Sequence, residues 1–272
     1  MSDPNAFVLI DRPHPHTAVV TLNRPERMNS MAFDVMVPLR EELRRLGEDN
    51  AVRSIILTGA GKGFCSGADQ SGETGRMPNK EGLTGVSIAL RAMTLLEDIV
   101  TTLRAIPQPV IAAVNGAAIG GGLCLAMACD IRIASDAAYF RAAGINNGLT
   151  ASELGLSYLL PRAIGITRAS ELMLTGRDVG AAEAESIGIV SRVVAPERLI
   201  EESLALADRI AALSRPGIEL TKRTLRASME AGSLEGHMQS EGLGQLFVRL
   251  MTGNFDEAVA ARKDGREPVF KD

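Results

Sequence analysis

The chain has 272 residues, of which 46% are hydrophobic and 23% charged, and its formal net charge is −4 at pH 7. This length and composition favour one globular α/β core with a helical appendage, since single hydrophobic cores stop growing at about 250–300 residues. The negative charge, a 3% aromatic share and the absence of tryptophan argue against a surface that stacks on nucleic-acid bases.

The compartment is predicted from the cysteines and from the distribution of apolar residues. Cys65, Cys124 and Cys129 are odd in number and form no CxxC pair, which is typical of free thiols in a reducing environment. The first residues lack a basic segment followed by an apolar core, and no run of eighteen apolar residues occurs. We therefore expect a cytoplasmic protein that does not cross a membrane.

The first elements are predicted to be a hairpin and an amphipathic helix. Residues 7–10 and 18–22 are short apolar runs on either side of a turn that contains His14 and His16. No metal site is expected there, because such a site needs three or four ligands and the chain has only one other histidine, His237. A helix follows, and it is predicted from the helical spacing of Met36, Leu39, Leu43 and Leu46.

A strand followed by small residues comes next. Residues 54–58 (SIILT) form a β-branched apolar run, and FCSGAD follows at residues 64–69. A turn of small residues directly after a strand leaves the main-chain N–H of Ala68 able to face a ligand. Asp69 is interpreted as a cap or turn residue rather than a catalyst, because Asp commonly has such roles.

The most informative stretch is NGAAIGGGLCLAMACD at residues 115–130, which follows a predicted strand at residues 110–114. Three successive glycines before an apolar helix let a ligand come close to the main chain. The N–H groups in the first turn of that helix have no partner within the helix, so they could bind negative charge. A nucleotide phosphate loop is disfavoured, because the spacing is not GxGxxG and no Lys-Ser or Lys-Thr follows. Tight helix packing stays open as an alternative reason for the glycines. Paired with Ala68, an N–H here could form an oxyanion hole.

The rest of the chain changes from mixed to helical composition. A helix is predicted to end before Pro107, strands at residues 131–134, 138–141 and 190–194, and helices at residues 164–175 and 181–187. Beyond Pro196 only helices are predicted, and one has an apolar stripe comprising Leu243, Leu246, Phe247, Leu250 and Met251. We accordingly predict a core at residues 1–195 and a helical region at residues 196–272.

Four separated motifs in this order resemble the crotonase (enoyl-CoA hydratase/isomerase) superfamily over nearly the whole chain: NRPERMNSM, FCSGAD, NGAAIGGG, and LTG followed by AAEAESIGIVSRVV. The resemblance implies a spiral of ββα turns followed by helices that assemble trimers or hexamers. It also implies an acyl-CoA substrate, with no separate cofactor because coenzyme A is part of that substrate. By the same resemblance, Ala68 and Gly121 donate two N–H groups to the thioester carbonyl.

The resemblance also implies which residues bind coenzyme A. Arg27, Ser66 and Ala68 are expected to lie beside coenzyme A. Lys271, in the closing FKD, is expected to reach the phosphates of the coenzyme A bound to an adjacent subunit. Residues 70–85 are Gly-rich, polar and without periodicity, and they are expected to form a lid beside the acyl tunnel.

The expected chemistry depends on carboxylates. Hydratases of this family have two glutamates, and their positions are occupied here by Cys124 and Gly144, so the acid–base groups for hydration are missing. Cys124 lies among apolar neighbours and is expected to be a buried thiol rather than a nucleophile. The remaining carboxylate is Glu153, which either moves a proton or forms a capping box with Thr150.

These residues favour an isomerase-type reaction. A single carboxylate with a raised pKa could take the α-proton of a 3-enoyl-CoA and return it at the γ-carbon. The alternatives are an enoyl-CoA hydratase of fatty-acid β-oxidation that uses other groups, and a noncatalytic acyl-CoA binding protein.

Overall fold

The computed structural model of the protein describes residues 6–71, 75 and 77–271. Within them the chain forms ten strands and ten α-helices. The strands are β1 (Val8–His14), β2 (Thr17–Leu22), β3 (Ser54–Gly59), β4 (Gly63–Cys65), β5 (Val110–Val114), β6 (Ala117–Ile119), β7 (Ile131–Ser135), β8 (Tyr139–Arg141), β9 (Val179–Gly180) and β10 (Arg192–Val194). The helices are α1 (Phe33–Glu48), α2 (Gly85–Ala105), α3 (Gly121–Ala128), α4 (Leu156–Ile164), α5 (Ile166–Thr175), α6 (Ala181–Ile187), α7 (Leu199–Ala211), α8 (Arg215–Ser228), α9 (Leu234–Met251) and α10 (Asn254–Asp264).

The strands form two sheets. The larger has the order β1-β2-β3-β5-β7-β10 and is parallel from β2 onward, whereas β1 and β2 form the predicted antiparallel hairpin. The smaller has the order β4-β6-β8-β9, with only β9 antiparallel to its neighbour. Of the described helices, none is both long and apolar enough to cross a membrane.

The chain repeats one structural unit. A strand of the larger sheet is followed by a short strand of the smaller sheet and then by a helix, as in β3-β4-α2, β5-β6-α3 and β7-β8-α4. The turn after β2 follows the same course with a single bridge, between Met31 and Ala68, in place of a second strand. The predicted spiral of ββα turns is therefore confirmed.

Both faces of the larger sheet are buried, because successive side chains of a strand point to opposite faces. In β3, Ile55 and Leu57 pack in the main core, whereas Ile56 packs with Ala207 and Ile210 of α7. Helix α7 lies beyond the predicted boundary at residue 196 and still covers the outer face of this sheet. The boundary coincides with the change to helices only, and the division into two regions stays a prediction.

Of the short strands in the smaller sheet, β8 was predicted at residues 138–141, whereas β4, β6 and β9 were not. The sequence pattern suggested that the chain passes from β5 through a glycine turn into a helix, but β6 lies between them. Strands β4 and β6 have three residues each, too few for a periodic signal, and they form because distant segments pair. The close packing of α3 against β4 requires glycine at residue 122, because a Cβ on Gly122 would lie 1.9 Å from the carbonyl oxygen of Cys65.

We predict that Gly122→Ala lowers the free energy of unfolding by about 1–3 kcal/mol or more, because the added methyl group collides with backbone that cannot rotate away. Gly85→Ala is the control, because none of the described atoms outside its own helix lies within 4 Å of a Cβ added there. Urea denaturation of both variants measures the difference. Equal stabilities would contradict the close packing of α3 on β4.

Candidate functional site

The two predicted N–H donors lie on adjacent stretches of main chain. Gly67, in the turn after β4, has φ +83°, and a Cβ on it would lie 2.6 Å from the oxygen of Ile119 and 3.3 Å from the nitrogen of Gly121. Gly120 has φ +53°, which favours glycine, and it leads directly into α3. The structure therefore brings Ala68 close to the first turn of α3.

The main-chain N–H groups of Ala68 and Gly121 have no hydrogen-bond acceptor among the described residues. The Met31 N–H donates to the oxygen of Gly67 at 2.7 Å, and the Asp69 N–H donates to the oxygen of Met31 at 3.4 Å. In a parallel bridge of this kind the N–H of Ala68 points away from Met31. Gly121 is the first residue of α3, so its N–H has no partner within the helix.

Met31 contacts both stretches, and the sequence did not predict this role. Its main chain fixes the peptide units around Ala68, and a Cβ on Gly121 would lie 2.1 Å from the Met31 sulfur. The residue belongs to the NRPERMNSM motif, which identified the segment but not the direction of this side chain.

A buried ion pair holds the turn that contains Ala68. The Arg24 side chain donates to the Asp69 carboxylate, whose own side chain is only 3% exposed. Asp69 also accepts from the Ser71 N–H at 2.8 Å and the Ser71 hydroxyl at 2.6 Å. These Ser71 hydrogen bonds, and then Arg24, hold the pKa of Asp69 well below its usual value. Asp69 thus has the predicted turn role, and the Arg24 side chain is buried together with it.

Glu153 lies beside the glycines of α3. Its Oε1 is 3.3 Å from the position of a Cβ on Gly120, and burial raises the pKa of its half-buried carboxyl. The alternative capping box was wrong, because α4 begins at Leu156 with Gly155 as its N-cap, and no side chain in the described ranges caps it. Leu154 at φ 45° and Gly155 at φ 81° turn the chain before the helix starts.

The two positions expected for hydratase glutamates hold residues that cannot replace them. The Cys124 thiol is buried and donates to the carbonyl oxygen of Glu153 at 3.5 Å. Burial, and to a smaller extent the charge of Glu153, raises the pKa of the Cys124 thiol well above its usual value. A Cβ on Gly144 would lie 2.0 Å from the oxygen of Thr150, so no larger side chain fits there without moving the backbone.

Three of the predicted coenzyme A contacts line one open depression of about 380 Å³: Arg27, Ser66 and Ala68. Lys271 does not line it; the Lys271 N–H donates to the Asn254 side chain at 3.0 Å, near the start of α10. The predicted lid at residues 70–85 includes residues 72–74 and 76, which lie outside the described residues. In the described part of the chain, no three His, Cys, Asp or Glu side chains gather so as to hold a metal ion.

We predict that iodoacetamide at pH 8 leaves all three cysteines of the folded protein unmodified. Each thiol is buried, and burial raises the pKa of Cys65 and of Cys129 to about 12, so little reactive thiolate is present. Mass spectrometry with and without denaturant measures the labelling. Rapid labelling of Cys124 in the folded chain would instead indicate a reactive thiol at the site.

Comparison with known proteins agrees with this architecture. The Enoyl-CoA hydratase/isomerase family matches residues 15–272. A Mycobacterium tuberculosis protein named "Probable enoyl-CoA hydratase EchA12" is 66% identical over 267 residues, which are 98% of this chain and 93% of the relative.

Two solved structures are also similar. A structure described as a probable enoyl-CoA hydratase/isomerase from Mycobacterium abscessus is 65% identical, with a TM-score of 0.93, and the match covers 97% of this chain and 98% of that one. A Mycobacterium smegmatis structure described as a monofunctional enoyl-CoA isomerase is 61% identical, with a TM-score of 0.74, and the match covers 86% of this chain and 99% of that one. With the repeated ββα spiral and the paired glycine turns, these matches establish that the chain is an enzyme of the enoyl-CoA hydratase/isomerase family, the crotonase superfamily.

Proposed function

We propose that this enzyme isomerises a 3-enoyl-CoA to the conjugated 2-enoyl-CoA, with Glu153 as the proton carrier. The observation that supports this most is the position of the Glu153 carboxylate beside Gly120, together with Cys124 and Gly144 at the positions of the usual hydratase glutamates. One carboxylate is enough for a proton shuttle, whereas hydration also needs a water to be positioned and deprotonated.

In the proposed reaction, Glu153 removes a proton from C2 of the substrate. The electron pair of that C–H bond moves into the thioester, and the resulting enolate oxygen is stabilised by the N–H groups of Ala68 and Gly121. Each such donor typically stabilises the transition state by about 3 kcal/mol. Glu153 then delivers the same proton to C4 as the double bond moves from C3–C4 to C2–C3, so no atom is gained or lost.

The names of relatives support two versions of the function. The Mycobacterium smegmatis relative is described as a monofunctional isomerase, which agrees with the single carboxylate. The Mycobacterium tuberculosis relative is named a hydratase, so hydration in β-oxidation is the second candidate.

We propose that the nucleotide part of coenzyme A binds in the depression lined by Arg27 and Ser66. Lys271 reaches the phosphates of the coenzyme A that an adjacent subunit binds.

Exposed residues on α9 support a trimer or hexamer, because a large apolar patch is typical of an interface. Five of them are 56–76% exposed: Leu243, Leu246, Phe247, Leu250 and Met251.

The cytoplasm is the proposed compartment, because three free thiols persist best where glutathione keeps them reduced.

The test of this function compares two substrates by the absorbance of the conjugated enoyl-thioester. We expect that absorbance to rise with a 3-enoyl-CoA and to stay nearly constant with a 2-enoyl-CoA. Rapid loss of absorbance from the 2-enoyl substrate would establish hydration instead. No change with either substrate, while acyl-CoA still binds, would indicate a binding protein.

We predict that Glu153→Gln lowers kcat for isomerisation by at least about a hundredfold, because general-base catalysis contributes about 10²–10⁴-fold. Glu153 must be ionised to act as the base, and burial raises the pKa of its carboxyl. As the pH is lowered, the kcat/KM of the wild type therefore begins to fall at a higher pH than it would with an ordinary glutamate as the base. The variant loses this acidic limb but keeps its folding and acyl-CoA affinity.

The matched control is Glu97→Gln, because Glu97 is an exposed carboxylate on α2. Its kcat and pH profile are expected to equal those of the wild type. Normal turnover by Glu153→Gln would exclude Glu153 as the proton carrier.

A further inference from the structure

A second cavity lies at the opposite end of α3 from the candidate active site. It has a volume of about 450 Å³, within the range of small-molecule sites of about 300–1,000 Å³. Apolar side chains from the spiral core and from the helices beyond residue 196 line it, among them Met127, Leu159, Ile210, Ile218 and Met229. Helix α3 has eight residues and rises about 1.5 Å per residue, so the cavity is roughly 12 Å from Gly121.

Five cationic side chains line this apolar cavity: Arg104, Arg132, Arg162, Lys222 and Arg226. Among the described residues that line the cavity, Asp130 alone is acidic, and it is paired with Lys222 at 2.7 Å. In the described part of the chain, none of the four arginines has a carboxylate within 4.0 Å. Arg104, Arg132 and Arg226 are partly buried and Arg162 is exposed, so water screens part of this charge. So many cationic side chains around an apolar cavity still need an explanation.

The arginines contact neutral groups instead. Arg132 donates to the oxygens of Cys129 at 2.9 Å and Ile189 at 2.5 Å. Arg162 stacks at 3.6 Å from the centre of the Tyr158 ring. These contacts satisfy hydrogen-bond donors, and nearby carboxylates offset only part of the positive charge: Asp130 acts on Arg132 and Arg226, and Glu230 acts on Arg226.

Arg226 is the least satisfied member of the cluster. It donates to the main-chain oxygen of Arg104, but its Nε is buried and has no hydrogen-bond partner among the described residues. Burial, and then the positive charge of Arg104, lowers the pKa of Arg226. The donor would gain an acceptor and the charge would gain a partner if an anion entered the cavity.

The ends of helices offset only part of this charge. The C-termini of α2, α3, α4, α7 and α8 adjoin the cavity, and each helix end is equivalent to about half a negative charge. Five such ends leave about one and a half of the four unpaired positive charges. Cys129 also lines the cavity, but its raised pKa keeps the thiol neutral.

We propose that this cavity binds an anionic amphiphile, a molecule with an apolar chain and a carboxylate or phosphate head. The apolar walls accommodate the chain, and guanidinium groups bind carboxylates and phosphates through paired hydrogen bonds. The proposal is independent of the reaction at Glu153.

Calorimetric titration of the full-length protein with decanoate tests this binding while a coenzyme A thioether saturates the thioester site. We expect one decanoate per chain. Decanol lacks the charge and inorganic phosphate lacks the chain, so both are expected to bind at least about tenfold more weakly, which corresponds to losing about 1.4 kcal/mol. Decyl phosphate distinguishes a phosphate head from a carboxylate head by its relative affinity.

Two variants locate the site. Arg226→Gln removes one charge and is expected to weaken decanoate binding about tenfold, as for the loss of a charge-assisted hydrogen bond. Thr221→Trp, on an exposed position of α8 that lines the cavity, is expected to fill the cavity and abolish binding. Arg209→Gln, an exposed charge on α7 outside the lining, is the control and is expected to bind as the wild type does.

The proposal would be overturned by no saturable decanoate binding, or by equal binding in the wild type and Thr221→Trp. It would also be overturned if either cavity variant changed the assembly mass measured by light scattering without ligand, because a second copy of the chain would then be the occupant. Thr221→Trp keeps the test decisive if Arg226→Gln fails to fold.

Discussion

The candidate site depends on the close approach of two main-chain segments, the turn after β4 and the residues that lead into α3. The contact is possible because Gly67 and Gly122 have no side chain where a Cβ would lie 2.6 Å or 1.9 Å from a carbonyl oxygen. Parallel pairing of β4 with β6 sets the register of this approach. The N–H groups of Ala68 and Gly121, which have no acceptor within the described part of the chain, and the depression beside Ala68 follow from that single constraint.

Other interactions keep the segments in place. Asn29 is buried, and its side-chain amide donates to the oxygens of Ala60 at 2.9 Å and Gly63 at 2.8 Å, so it holds the loop before β4. The Arg24–Asp69 ion pair holds the turn after β4. Removing one partner of such a buried pair costs more than the pair contributes, because the other charge then lacks a partner. The NRPERMNSM segment thus positions the site that we propose for the thioester.

Helix α3 links the electrostatics of the two ends of the molecule. Its N-terminus carries partial positive charge and faces the region where the enolate oxygen would form, close to Glu153. Its C-terminus carries partial negative charge and adjoins the arginine-lined cavity. A short buried helix of this kind therefore favours negative charge at one end and tolerates positive charge at the other.

The sequence by itself determined the longer elements and the family, because these depend on local periodicity and on motifs in a fixed order. The strand at Val110–Val114 and the core stripe containing Leu95, Ile99 and Leu103 formed where their apolar patterns predicted. Tertiary structure alone decided the strands β4 and β6, the contact of Met31 with Gly121, and the direction of the Glu153 carboxylate. Those features arise from pairing and packing between segments far apart in the chain, so no local window of residues contains them.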